Sequence, residues 1–234
     1  IQLCTRNNRY KDNQNGMIDF LQAGDVYSLD QRAVASITMG SEDSTTSVNT
    51  QGSLWILGFK SSGFLDETIS VRNVEAWAAG GHKSVVMTGQ GLIINNPGLC
   101  LNERKLCSIQ PGKFGQLSYI DGCNNSNMVD PARNGDPCIN YLYFPPGIDQ
   151  TWHTHPSVRV GFVVSGSGVA CIKNGNEIVE HPLEIGRGFV LHRHAMHRFQ
   201  TNNESDMSLM VYHPDSEDGP RDEANPMKTR TYLR

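Results

Sequence analysis

Short apolar segments separated by turn residues dominate the hydrophobic pattern of this chain. The stretches between them lack the three- and four-residue spacing of apolar positions that marks a helix face. Turn signals such as Gly80-Gly81 and Asn96-Pro97-Gly98 punctuate the pattern. The predicted strands are residues 32–38, 53–59, 68–77, 84–87, 91–95, 139–144, 158–164, 168–173, 188–191, 197–200 and 208–212. Many short strands broken by turns indicate an all-β protein, either a sandwich or a barrel.

The chain divides into three regions that differ in composition and in predicted strand content. Residues 1–98 are β-rich after a polar start, in which residues 17–22 fit either a helical turn or an edge strand. Residues 99–138 form a long, irregular connection that contains four cysteines, and residues 139–234 form a second β-rich block with a charged tail. A long connection in a compact protein is typically a lid, a linker or an insert. The tail fits both an arm on a neighbouring subunit and a solvated end.

A faint internal repeat relates the two β-rich regions. Residues 86–91 align with residues 163–168, because both join a strand to a Gly-x-Gly corner. In that alignment Ala76 and Ala78 take the places of His153 and His155. The first half would then be a degenerate copy without a metal site. A chance match of Gly-x-Gly explains the alignment equally well.

Composition excludes several classes of function. The chain has 234 residues and a formal net charge of −4, which argues against a nucleic-acid or anionic-membrane surface. No apolar run approaches the length of a membrane span. No secretory signal is visible at the start, so we expect a cytoplasmic protein.

Six cysteines are spread along the chain without a Cys-x-x-Cys pair, which argues against a structural zinc ribbon. Free, mostly buried thiols are the favoured interpretation of these cysteines, given the missing secretion signal. One or two disulfides within the connection remain an alternative.

Two histidines, His153 and His155, lie between a Pro-Pro-Gly turn and a predicted strand. Side chains at i and i+2 of an extended segment point the same way, so both imidazoles can reach one point in space. This is a good beginning for a metal site. A second group, His192, His194 and His197, follows the predicted strand 188–191 and can supply a third ligand.

These features together resemble the cupin superfamily. The pattern Gly147-x5-His153-x-His155-x3-Arg159-x6-Gly166 resembles the first cupin motif, with Arg159 where most cupins carry Glu. Gly186, followed eleven residues later by His197, resembles the second motif. The match covers residues 139–213. It implies a cupin (jelly-roll) barrel and, if the repeat is real, a bicupin with a degenerate N-terminal lobe.

The resemblance implies that His153, His155 and His197 hold a divalent metal without the usual Glu. Three-histidine sites of this kind resemble those of gentisate-type dioxygenases, so Fe(II) is the favoured metal, with Zn, Mn or Ni as alternatives. A site that lacks the Glu keeps the full charge of the metal and favours an anionic substrate. The guanidinium of Arg159 can bind a carboxylate, although a purely structural ion pair is an equally open role.

Further residues have the types expected near such a site. Gln150, Trp152, Tyr143 and Phe199 are candidate substrate-binding residues, with core packing as the alternative for the aromatic ones. His194 and Arg159 are candidate catalytic residues, and a surface or packing role for His194 stays open.

The sequence therefore predicts a metal-dependent enzyme, with a dioxygenase acting on a small carboxylate-bearing substrate as the first hypothesis. A lyase, isomerase or epimerase using Zn, Mn or Ni is the second hypothesis. A metal- or ligand-binding cupin without catalysis is the third. The expected partner is a small anionic molecule, not nucleic acid or membrane, and the resemblance to cupins adds an expected homodimer.

Overall fold

The structure is a computed structural model that is built almost entirely from β-strands. It describes residues 17–23, 25–31, 34–40, 45–50, 52–65, 67–69, 74–79, 83–96, 105–109, 117–131 and 135–215. The strands are β1 (Ile18–Leu21), β2 (Val26–Gln31), β3 (Val34–Gly40), β4 (Thr45–Thr50), β5 (Ser53–Leu65), β6 (Glu67–Ile69), β7 (Val74–Ala79), β8 (Lys83–Asn96), β9 (Lys105–Ile109), β10 (Leu117–Ser118), β11 (Asn124–Val129), β12 (Cys138–Phe144), β13 (Arg159–Asn174), β14 (Glu177–Glu184), β15 (Gly188–Leu191), β16 (His197–Gln200) and β17 (Met207–His213). The predicted all-β class is confirmed.

Helical structure is scarce in the described part of the chain. It consists of a single 3₁₀ turn, Ile120–Gly122, between β10 and β11. Within the same residues, no helix has the length and apolar character needed to cross a bilayer.

The chain forms two compact units. The first comprises Ile1–Asn15 and Leu21–Cys107, and the second comprises Gly16–Phe20 and Ser108–Arg234. The sheet of the first unit has the order β2-β3-β8-β5-β7-β9, with β4 also paired to β8 and β6 to β5. Trp55, Leu57 and Leu92 from its two long central strands are fully buried, so apolar side chains of β5 and β8 build its core.

The second unit is organised around β13. Residues Arg159–Gly166 of this strand pair with β15 and β17, whereas residues Ser167–Asn174 pair with β14 and β16. Its register shifts between Val163 and Ser165, and Gly166 follows with a φ of +66°. Bulges and glycines are the usual means by which one strand turns from one sheet into another. The predicted Gly-x-Gly corner is therefore where the wall of this unit bends.

The core of the second unit lies between these strands. Phe144, Val163, Phe189, Phe199 and Leu209 are among its buried members. Ile18 and Phe20 of β1, and Met17 just before it, pack against this core. The stretch 17–22, for which helix and strand were both open, thus contributes an edge strand at β15.

The connection 99–138 contains regular structure in its described part. It holds β9, β10, the 3₁₀ turn and β11, and β11 pairs with β12 over most of its length. The strand β11 reads Asn-Asn-Ser-Asn-Met-Val. Because its polar residues have low strand propensity, β11 was not predicted from the sequence. Residues 216–234 of the predicted tail lie outside the described residues.

Three of the cysteines can be compared with their prediction. Cys123, Cys138 and Cys171 are free and buried, as expected for thiols that pack like small apolar side chains. Cys4 and Cys100 lie outside the described residues, and only the backbone of Cys107 is described.

Candidate metal centre

Two separate segments deliver the three predicted ligands to one place. His153 and His155 lie on an extended segment after β12, and His197 is the first residue of β16. The backbones of His153 and His197 form a β-bridge, in which each N–H donates to the other carbonyl at 3.0 Å. Since both residues of the bridge carry imidazoles, backbone pairing itself brings the ligands together.

The three imidazoles face a common point. One ring nitrogen from each histidine lies within 4.8 Å of the others, and the ring centroids are 4.2, 5.1 and 5.2 Å apart. All three residues are buried. In the described part of the chain this is the one group of His, Cys, Asp or Glu side chains with such geometry.

Hydrogen bonds determine the tautomers of two ligands. Nδ1 of His153 lies 2.9 Å from the carbonyl oxygen of Thr151, and Nδ1 of His197 lies 2.9 Å from that of Ala195. Because a carbonyl oxygen only accepts, each Nδ1 must carry the proton and donate it. Each Nε2 then keeps a lone pair, which is the arrangement of a metal-ligating histidine with a backbone partner.

The buried nitrogens also test whether a metal fits. Nε2 of His197 is buried and has no hydrogen-bond partner, and the same holds for Nδ1 of His155. A buried polar atom without a partner costs roughly 1–3 kcal/mol, so it calls for a ligand or an ion. A cation at the shared point would satisfy the Nε2 lone pair of His197. The donor set therefore fits a divalent metal.

Burial and nearby positive charge keep two of the three histidines neutral. Burial lowers the pKa of His155 well below its ordinary value, and the nearby positive charge of Arg159 lowers it further. Burial likewise lowers the pKa of His197, with a smaller contribution from His153. Neutral imidazole is the form that binds metals, so no proton has to leave these two rings before an ion enters.

A cavity of about 390 Å³, counted with its open mouth, surrounds the histidines. Its apolar wall comes from several strands of the second unit, namely Leu142, Phe144, Phe189, Leu191, Phe199 and Val211. Beyond the three ligands, its polar lining consists of Tyr119, Gln150, Arg159 and His213. An apolar pocket with a few polar groups is typical of a small-molecule site.

Arg159 places a buried positive charge beside this cavity. Its Nη1 contacts the hydroxyl of Ser157, donates to the carbonyl of Val158 at 3.1 Å, and lies 3.6 Å from a carboxylate oxygen of Asp215. Its Nε is buried without a hydrogen-bond partner. Burial lowers the pKa of Arg159, while Asp215 acts in the opposite direction. The guanidinium thus retains a free donor.

The predicted substrate-binding residues divide into two groups. Gln150 and Phe199 line the cavity together with Arg159. The amide of Gln150 is already engaged, because its oxygen accepts from the N–H of Phe199 at 3.1 Å and its nitrogen donates to the thiol of Cys123 at 3.5 Å. Gln150 therefore acts as part of the wall, with both ends of its amide in use.

Trp152, Tyr143 and His194 are not brought to the cavity lining. The guanidinium of Arg198 covers the ring of Trp152 at 4.8 Å, and the hydroxyl of Tyr143 donates to Asp206 at 3.2 Å. The side chain of His194 is exposed, and its Nε2 lies 3.2 Å from the guanidinium of Arg193. Tyr143 and Trp152 face other partners because neighbouring positions on an extended segment alternate in direction. His194 instead lies in a turn, where its φ is +60°.

Two polar residues of the cavity were not predicted from the sequence. His213 ends β17, is buried, and has an Nε2 without a hydrogen-bond partner. Alternation could have indicated it, since His213 shares a face with the core residues Leu209 and Val211. Tyr119 had no such signal, because it lies outside a strand, just before the 3₁₀ turn.

Comparisons with solved structures identify the fold. No protein-family model matches the sequence, and no curated protein matches it either. A salicylate 1,2-dioxygenase from Pseudaminobacter salicylatoxidans superposes with a TM-score of 0.51, at 12% identity over 76% of this chain and 69% of that one. AerE from Microcystis aeruginosa gives 0.53, at 13% identity over 86% and 93%. A cupin 2 conserved barrel domain protein from Leptotrichia buccalis gives 0.50, at 13% identity over 82% and 90%.

Identities this low establish the fold and nothing finer. The chain has the cupin fold and carries a three-histidine cluster within it, as its two motifs predicted. Duplication of the first unit stays a prediction.

Proposed function

We propose that this chain is a metal-dependent enzyme of the cupin fold, and that it is a non-haem Fe(II) dioxygenase acting on a small carboxylate-bearing substrate. The observation that carries the proposal is the convergence of three buried imidazoles in a cavity that also contains a buried arginine. His153, His155 and His197 would hold the ion. Iron bound there would supply the activation of O₂.

Charge supports an anionic substrate. The three ligands add no negative charge to the ion, and Arg159 adds a positive one beside it. Asp215 is the carboxylate that faces Arg159, at a distance longer than a hydrogen bond. The free Nε–H of Arg159 is available to donate to a carboxylate, and such charge-assisted bonds are roughly twice as strong as neutral ones.

The apolar wall suits the remainder of the substrate. Leu142, Phe189 and Phe199 offer contacts for a hydrocarbon or aromatic body. They also reduce the water around the site, which strengthens electrostatic interactions there. Salicylate is the substrate in the name of one structural neighbour, and gentisate is bound in another structure of that protein. We take these acids as probes.

Three neutral imidazoles bind Zn, Mn or Ni as well as Fe, so a non-redox lyase, isomerase or epimerase is the second candidate. A non-catalytic binding protein is the third. Homodimerisation also belongs to the proposal, and the mass of the chain in solution tests it.

The deciding experiment is O₂ uptake by protein that was purified and loaded with Fe(II) without air. We expect uptake that depends on iron and on an added acid, with salicylate and gentisate tried first and a panel of small carboxylates after them. The variant His197→Ala should lose stoichiometric iron and all uptake. Turnover with Zn or Mn that needs no O₂ would replace the first candidate by the second, and binding of acids without turnover under any metal would favour the third.

Arg159→Gln tests the charge argument separately. Its iron content should stay near one ion per chain, while the KM for the acid rises at least about tenfold, equivalent to about 1.4 kcal/mol. Because this change leaves Asp215 without its cation, the unfolding midpoint of each variant must be measured alongside. An unchanged KM in a folded Arg159→Gln variant would exclude Arg159 from substrate binding.

A further inference from the structure

The segment that carries His153 is held from outside by the 3₁₀ turn of the connection. The carboxylate of Asp121 in this turn accepts two hydrogen bonds from Thr151, one from its backbone N–H at 2.6 Å and one from its hydroxyl at 2.9 Å. The two residues are thirty positions apart in the sequence. One carboxylate oxygen thus restrains both the backbone and the side chain of Thr151.

Thr151 in turn orients a metal ligand. Its carbonyl oxygen accepts the proton of His153 Nδ1 at 2.9 Å, which leaves Nε2 with its lone pair. A residue whose nitrogen and hydroxyl are both anchored has little freedom to rotate its carbonyl. The carboxylate of Asp121 is therefore connected through Thr151 to the imidazole of His153.

The turn itself is well anchored. The N–H of Tyr119 donates to the carbonyl of Cys123 at 2.8 Å, the N–H of Cys123 donates to that of Ile120 at 3.0 Å, and Ile120 is fully buried in the core. A second link runs from Gln150 to the thiol of Cys123 at 3.5 Å. The turn therefore joins two consecutive residues, Gln150 and Thr151, to the core.

The backbone of Asp121 has an uncommon conformation. Its φ is +53°, in the left-handed region that costs a non-glycine residue roughly 1–2 kcal/mol. A carboxylate or amide side chain tolerates this region better than most because it can form local hydrogen bonds. An aspartate here, in front of Gly122, gives the turn a side chain that glycine would not provide.

We propose that Asp121 is a positioning residue of the metal centre, which acts through Thr151 to hold His153 with Nε2 directed at the shared point. The proposal rests on the three-histidine metal site of the proposed function and is independent of the reaction performed there. Hydrogen bonds that orient a metal-binding histidine from outside change metal affinity by roughly 10- to 100-fold. The connection between the β-rich regions would then be part of the site.

The test is Co(II) binding to the metal-free full chain. Calorimetry measures the Kd, and the visible absorption of the bound ion reports its coordination. Asp121→Gly removes the carboxylate and suits the positive φ. Asp121→Asn keeps an acceptor oxygen and should rescue binding. Asp149→Asn is the matched control, because Asp149 is also an exposed carboxylate of this region but pairs with Gln200 and Arg198.

For Asp121→Gly we expect the Kd for Co(II) to rise about tenfold or more, with a changed visible spectrum. Asp121→Asn should stay within about threefold of the parent chain, and Asp149→Asn should keep the parent spectrum. An unchanged Kd and spectrum in Asp121→Gly would overturn the proposal, as would an equal loss in Asp149→Asn.

A second pair of variants covers the case in which Asp121→Gly fails to fold. Thr151→Ser keeps both donors and should bind Co(II) like the parent chain, whereas Thr151→Val loses the hydroxyl donor and should bind it more weakly. Equal Kd values for these two variants would overturn the proposal.

If the parent chain binds Co(II) but shows no O₂ uptake with iron, the dioxygenase proposal fails while the role of Asp121 stands. If it binds no Co(II), both fail.

Discussion

Burial lowers the pKa of three histidines that line this cavity. His155, His197 and His213 are buried, and burial is the largest cause that lowers the pKa of each well below its ordinary value of about 6.5. Arg159 lowers all three further, because a second positive charge beside a guanidinium is unfavourable. The folded, metal-free protein thus keeps these rings neutral.

This predicts a stability that falls in acid. Below about pH 6.5 the unfolded chain takes up protons on these histidines, whereas the folded chain does so only at lower pH. The free energy of unfolding therefore has its full value above about pH 6.5 and falls as the pH is lowered. Its slope is about 1.4 kcal/mol per pH unit for each histidine. Denaturant unfolding of the metal-free chain between pH 8 and pH 5 measures it.

A variant isolates one of these protons. His213→Gln removes a histidine that is not among the proposed ligands, so the pH slope should decrease by about one proton relative to the parent chain. Equal stability of the parent chain at pH 8 and pH 5 would contradict the neutral, buried histidines.

Among the elements, β13 determines the geometry of the cavity. It begins at Arg159 beside the site, bends at Gly166, and continues as the partner of β16, which carries His197. A side chain at Gly166 would place its Cβ 1.9 Å from the carbonyl oxygen of Asp206. The bend therefore needs glycine both for its positive φ and for the close approach of a neighbouring backbone.

Gly166→Ala and Gly175→Ala form a matched pair. Both glycines have a positive φ, so alanine should cost each roughly 1–2 kcal/mol of unfolding free energy. Gly175 has open space where its Cβ would lie, whereas Gly166 meets backbone, which should add roughly 1–3 kcal/mol. Denaturant unfolding of the two variants compares them. Equal losses would show that the contact with Asp206 relaxes without cost.

At the scale of the whole molecule, the second unit is assembled from distant parts of the chain. The carboxylate of Asp19 in β1 lies 2.9 Å from Nε2 of His192, and the carbonyl of Met17 accepts from the N–H of His192 at 3.0 Å. Phe20 lies under the guanidinium of Arg187 at 4.2 Å. Residues 17–20 thus complete the unit that holds the three histidines.

Metal binding should therefore depend on β1 as well as on the later strands of the second unit, with one ion per molecule. We expect one equivalent of Co(II) to be bound and to raise the unfolding free energy by about 2.7 kcal/mol when the free ion is at 100 times its Kd. Hydrogen exchange should slow in residues 150–156 and 194–200. Two bound equivalents, or protection confined to other segments, would contradict a single site at the three histidines.

Local pattern was sufficient for part of this picture. The spacing of His153 and His155 and the many short strands predicted an all-β protein with the beginning of a metal site, and the resemblance of two motifs to those of cupins added the cupin fold and His197. Such predictions succeed because the direction of a side chain along an extended segment repeats every two residues, which is a property of the local backbone.

The sequence by itself therefore determined many of the strands, the fold class and, through the resemblance to cupins, the three histidines of the cluster. Only the tertiary structure decided that Tyr119 and His213 enter the cavity, that Trp152 and Tyr143 face other partners, and that Asp121 reaches Thr151. Each of these depends on which distant segments pair and where β13 bends. Long-range pairing depends on the packing of the whole unit, so local periodicity cannot predict it.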